Sequence, residues 1–97
     1  MSNLIRWARV VADECGLEDW DVVEHGQTSV AVDRKLIRVN PESHWRSPQG
    51  GRIKVAHAIA RAKGGGRSLG CAMVRETFFQ IIDKHFEAKP LSWETNQ

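Results

Sequence analysis

VAHAIARAKGGG, residues 55–66, decides how the rest of the chain is read. A run rich in alanine ends in three consecutive glycines. The pattern predicts the last turns of a helix that Gly64, Gly65 and Gly66 stop. Ile59 and the alanines can face a core. His57 and Arg61, four residues apart, share one side of the helix. Traced backwards, the helix is predicted over 50–63. An earlier start is available where Ser47 precedes Pro48, since serine caps a helix and proline suits its first position.

Upstream, residues 3–15 read as a first helix capped by Ser2 or Asn3. Leu4, Trp7, Val11 and Cys15 recur at helical spacing, and Gly16 supplies the stop. A short strand is predicted within 19–26. SVAV (29–32) and LIRV (36–39) are rich in β-branched residues, and the polar DRK between them predicts a hairpin with one buried face. Pro41 cannot donate to a ladder, so the sheet ends there. Residues 42–51 are expected to form a loop. Downstream, a third helix is predicted over 68–88, with Ser68 as cap and an apolar side of Met73, Phe78, Ile81, Ile82 and Phe86. Residues 89–97 are a polar tail apart from Leu91 and Trp93. The expectation is one α+β domain over 1–97: a helix, a three-stranded antiparallel sheet and two further helices. Val30, Val32, Ile37, Val39, Ile53, Ile59, Phe78 and Ile82 are its expected core.

Composition narrows the function classes. The chain has 97 residues, 41% hydrophobic and 27% charged, enough for one modest core. No apolar run approaches the ~20 residues of a membrane span. Charges interrupt the apolar part of the N-terminus, which argues against a signal peptide and leaves the cytoplasm as the default location. Cys15 and Cys71 are not spaced as C-x-x-C and read as two reduced, core-facing thiols. The net charge of +2 is small, but its distribution is uneven. Arg46, Arg52, Lys54, Arg61, Lys63 and Arg67 follow one another with no acid before Glu76. One basic face is expected, with Trp45 beside it as an aromatic anchor. GGGRSLG (64–70) lacks the P-loop lysine and a preceding strand, so it reads as a helix–helix connection.

Leu17, Trp20 and Val22, then Arg34, Lys35, Ile37, Asn40 and Pro41, then VAHAIARA form an ordered series. Over residues 4–66 this series resembles the N-terminal half of SprT-like zinc metallopeptidases and related minimal zincins. There, an active-site helix carrying H-E-x-x-H follows the hairpin. The two histidines of that motif grip zinc from one helix face, and the glutamate is the general base. In this chain His57 stands at the first histidine, Ala58 at the glutamate and Arg61 at the second histidine. Alanine carries no proton to exchange, and a guanidinium cannot coordinate a cation. The resemblance therefore implies a pseudoenzyme with no metal and no cofactor. It also suggests an Arg61–Glu76 ion pair between helices where zinc would otherwise join them.

Two functions remain at this level. The first is a non-catalytic binding or regulatory module, of the size of a phage- or mobile-element-type inhibitor. It would act through Trp45, Arg46, Arg52, Lys54, Arg61, Lys63 and Arg67 on a protein or nucleic-acid partner, with no membrane involved. The alternative is a divergent zinc-dependent hydrolase with His57, Glu76 and His85 as ligands. The four histidines, His25, His44, His57 and His85, match no metal-binding spacing. The identity of the partner and the oligomeric state are not written in the sequence.

Overall fold

Both of the first two helices end by the same device. Helix α1 spans Asn3–Glu14 and helix α2 spans Pro48–Lys63. After α1, the Leu17 N–H donates to the Ala12 carbonyl at 2.9 Å and the Gly16 N–H to Asp13 at 3.1 Å. After α2, the Gly66 N–H donates to Arg61 at 2.7 Å and the Gly65 N–H to Ala62 at 3.3 Å. This is the Schellman pairing, with Gly16 (φ 84°) and Gly65 (φ 74°) at its left-handed position. The glycine stops therefore lie where the sequence places them. The computed structural model describes residues 3–44 and 48–85. Ser47, Phe86 and the tail lie outside them.

The remaining elements are strands β1 (Asp21–Glu24), β2 (Ser29–Ala31) and β3 (Leu36–Val39), short 3₁₀ turns at Val32–Arg34 and Pro41–His44, and helix α3 (Ala72–His85). The α+β composition is as expected, with three helices and three strands in the expected order. The sheet is mixed rather than antiparallel throughout. Its order is β1-β3-β2, with β2 antiparallel and β1 parallel to β3. The physical reason lies in the strands themselves. β3 carries Ile37 and Val39, both fully buried, and takes the central place. β1 ends in the exposed Asp21 and Glu24 and β2 has only three residues, so both suit edges. The loop 25–28 carries the chain from β1 past the end of β3 to β2.

Lys35 closes the hairpin turn in a left-handed conformation (φ 51°), and its ammonium sits 2.7 Å from Asp19. Arg9 binds α1 to the start of the sheet. Its guanidinium donates to the Trp20 carbonyl at 2.6 Å and the Leu17 carbonyl at 2.9 Å, and pairs with Asp13 at 2.7 Å.

Helix α3 begins four residues later than the predicted start at Ser68. The Ser68 hydroxyl accepts from Gly70 and its carbonyl from Cys71, which closes a turn before the helix. Cys71 then stands at the head of α3 and is half-buried, not core-facing.

The core runs between α1, α2 and β3. Leu4, Val11, Ile37, Val39, Val55 and Ile59 are its main aliphatic members. Val30, Val32, Phe78 and Ile82 are half-buried and pack against it. Ile53 is the exception to the predicted core, at 43% exposed. The inward face of α2 is set by Val55, Ala56, Ile59 and Ala62, and Ile53 falls off it. Ile59→Ala should therefore cost about 2–5 kcal/mol, whereas Ile53→Ala should cost less than ~1 kcal/mol. Denaturant midpoints of the two variants check the assignment.

Candidate functional site

A cavity of about 340 Å³ opens between α2 and the chain that leaves β1. One wall is residues 26–29 with Asn40. The other is Lys54, His57, Ala58 and Arg61. The α2 side chains lie at i, i+3, i+4 and i+7, so one helix face supplies all of them. Asn40 builds the opposite wall. Its backbone N–H donates to the Thr28 hydroxyl at 3.0 Å, and its side-chain amide donates to the Gly26 carbonyl at 3.1 Å. Its side-chain carbonyl accepts the Glu42 N–H at 3.0 Å. The end of the central strand thus holds the loop against which α2 faces.

The cavity is cationic. Its lining contains Lys54, Arg61 and His57 and no carboxylate. Arg61 Nη2 reaches the Gly66 carbonyl at 3.4 Å, but Arg61 Nε is buried with no hydrogen-bond partner. His57 Nε2 is likewise buried and unpartnered. The His57 ring meets Phe78 of α3 edge-on at 6.0 Å. Burial, and secondarily the Arg61 charge, hold the His57 pKa below its ordinary value. The imidazole is therefore favoured in its neutral form.

The seven predicted partner-binding residues do not form one stripe. Trp45 and Arg46 lie outside the described residues. Lys54 and Arg61 meet at the cavity. Arg52 lies instead over the Trp7 ring of α1, 5.5 Å from its centroid. Lys63 lines a second cavity, of about 200 Å³, with Glu14, Cys15 and residues of α3. At 100° per residue, Arg52 and Lys54 are about 160° apart around the helix, so they face opposite ways. Arg67 sits in the loop before α3. There the N–H groups of Val74 and Met73, and then the Arg67 guanidinium, draw the Cys71 thiol pKa down. Cys15, by contrast, is pushed up by burial.

The predicted Arg61–Glu76 pair is absent among the described residues. Arg61 turns to the C-terminal turn of its own helix, and Glu76 is exposed. The alternative ligand set is not assembled either. His57 faces the first cavity, while His85 lines the second, 3.0 Å from the Glu14 carboxylate and edge-on to Trp7. No group of three metal-binding side chains occurs among the described residues. None of the described helices is long and apolar enough to cross a membrane.

The wall opposite α2 is not signalled by the strand pattern, in which Ser29 is only the first residue of SVAV and Thr28 precedes it. The Asn40 just after β3 was the available signal, since asparagine at a strand end commonly bonds nearby backbone. Comparison with protein-family models, with curated proteins and with solved structures returned no match.

Two outcomes follow from these contacts. A histidine whose folded pKa lies below its unfolded value takes up its proton more readily in the unfolded chain. Its protonation therefore lowers stability as pH falls through the ordinary value near 6.5. The fall in denaturation midpoint from about pH 7.5 to about pH 5.5 should be smaller in His57→Gln than in the parent. In a double-mutant cycle, Arg61→Glu and Glu76→Arg should show a coupling of no more than ~0.5 kcal/mol. Restoration of stability by the second substitution would instead reveal an interhelical pair.

Proposed function

We propose that the protein is a non-catalytic binding module on a zincin-like scaffold, and that it engages an acidic macromolecular partner through the cavity face of α2. The single observation that supports this reading most directly is the cavity lining. Where the resemblance would require a general base and two zinc ligands, the helix presents Ala58 between His57 and Arg61, with Lys54 one turn earlier. Ala58 offers a methyl group and Arg61 a permanent cation. Such a face attracts negative charge and lacks the glutamate that serves as general base in H-E-x-x-H.

Placement of the cations limits the contact surface. Lys54, His57 and Arg61 act together, whereas Arg52 and Lys63 serve the opposite side of the helix. A partner on the cavity face thus meets two permanent cations of α2.

The test pairs two double variants. Lys54→Glu with Arg61→Glu should abolish partner capture, and Arg52→Glu with Lys63→Glu should leave it within about twofold. Lys54→Glu alone, at an exposed position, should change stability by less than ~0.5 kcal/mol and still weaken capture. Salt then identifies the partner. Duplex DNA held through two or three phosphates should give a log–log slope of about −2 to −3, and an acidic protein surface a shallower one. Normal capture by the Lys54→Glu/Arg61→Glu variant would reject the reading.

A further inference from the structure

We propose that the cavity between α2 and residues 26–29 is a binding site for a phosphate monoester group, held by Lys54, His57 and Arg61 together with the hydroxyls of Thr28 and Ser29. The proposal rests on the binding-module reading and gives its cationic face a definite ligand chemistry.

The lining donors are left with capacity to spare. Lys54 is exposed and makes no ion pair among the described residues. Arg61 Nε and His57 Nε2 are buried and unpartnered. A buried polar group with no partner is costly and uncommon in native structures, and where one persists it often marks a site. The Thr28 hydroxyl accepts the Asn40 N–H at 3.0 Å, and the Ser29 hydroxyl lies 3.5 Å from Arg38 Nη1. A hydroxyl that accepts still has one hydrogen to donate. The cavity therefore combines two permanent cations, an imidazole and two hydroxyl donors, and its lining has no carboxylate to oppose an anion.

Charge and shape choose among anions. Two permanent cations match a dianion better than a singly charged carboxylate or sulfate ester. Donors that come from both walls suit a tetrahedral group, whereas a carboxylate is satisfied by a single planar fork. The volume, about 340 Å³, falls in the range of about 300–1,000 Å³ typical of small-molecule sites. It leaves space for the esterified group beside the phosphate. The source of the phosphate is either a small metabolite or the terminus or side chain of a macromolecule, and the same chemistry serves both.

The experiment is an NMR titration of the full chain with phenyl phosphate, phenyl sulfate and acetate, followed through the backbone amides of residues 26–29 and 54–61. Phenyl phosphate should bind at one site and at least ~10-fold more tightly than either control. Lys54→Ala and Arg61→Gln should each weaken it by ~10-fold or more, as expected for a lost charge-assisted contact. Arg52→Ala and Lys63→Ala should leave it unchanged. Lys54 is exposed, so the Lys54→Ala arm remains decisive if Arg61→Gln fails to fold. A phosphoserine peptide and a 5′-phosphorylated oligonucleotide, each against its unphosphorylated form, then distinguish the sources. Equal binding of phosphate and sulfate esters, or insensitivity to both cavity variants, overturns the proposal. If the cavity variants lose a macromolecular partner while phenyl phosphate fails to bind, the phosphate assignment falls and the binding-module reading stands. If phenyl phosphate binds and partner capture survives both substitutions, the phosphate site stands and the macromolecular reading falls.

Discussion

Helix α2 is enclosed by α1, α3, β2, β3 and the 41–44 turn, and only small side chains permit that enclosure. Gly51, Val55, Ala56, Ala58, Ile59, Ala60 and Ala62 are buried along it. Two aliphatic residues among them, Val55 and Ile59, meet the sheet side of the core with Ile37 and Val39. The alanines let the neighbouring helices approach closely. Alanine is also the best helix former, so a helix built this way needs little help from amphipathicity. The same closeness reaches past its end. A methyl group at Gly64 would collide with the Val74 side chain of α3. The α2–α3 junction therefore depends on a residue with no side chain, in addition to the left-handed Gly65 that turns the chain.

Because the neighbours close in on α2, few of its side chains reach open space. Apart from Ile53, those that do are long or polar, and the helical period sorts them into two groups. Lys54, His57 and Arg61 project between α2 and residues 26–29, while Arg52 and Lys63 flank α1. The position of residues 26–29 is in turn set by β3. Its central place forces the β1–β2 connection around its end, and Asn40 fastens that connection with backbone and side-chain hydrogen bonds. A central strand and a small-residue helix thus make the cavity without any element devoted to it.

These dependencies explain which features were legible in the sequence. The glycine stops after α1 and α2 were, because a left-handed residue at a helix end is a local requirement. The hairpin was, because SVAV, DRK and LIRV signal strand, turn and strand by adjacent residues. Strand order was not. The direction of β1 against β3 depends on which strand is most deeply covered, a tertiary quantity. Ile53 was misplaced because an isoleucine attracts a core assignment, whereas the inward face of α2 is mostly alanine. The division of the basic residues was in principle legible, since Arg52 and Lys54 cannot share a helix face. Sequence proximity hid it. The Arg61–Glu76 pair failed for a different reason. The C-terminal turn of α2 brings the Gly66 carbonyl within reach of Arg61.

Arg61 also shows what the arrangement costs. A half-buried guanidinium with an unpartnered Nε gives up hydration without full replacement, a penalty of about 1–3 kcal/mol for the uncompensated group. His57 Nε2 adds to it, and burial, with the Arg61 charge second, lowers the affinity of that ring for a proton. In a domain of this size total stability is only about 5–15 kcal/mol, so two such groups side by side are a substantial burden. A purely structural helix could fill these positions with alanine, as it does at 56, 58, 60 and 62. The cations at 54 and 61 instead stand on the face of α2 that opens to the larger cavity, across from hydroxyls that can still donate. Stability given up at one side of an otherwise well-packed helix is the expected mark of a site kept for a ligand. The proposed anionic ligand would meet two permanent cations there and no carboxylate.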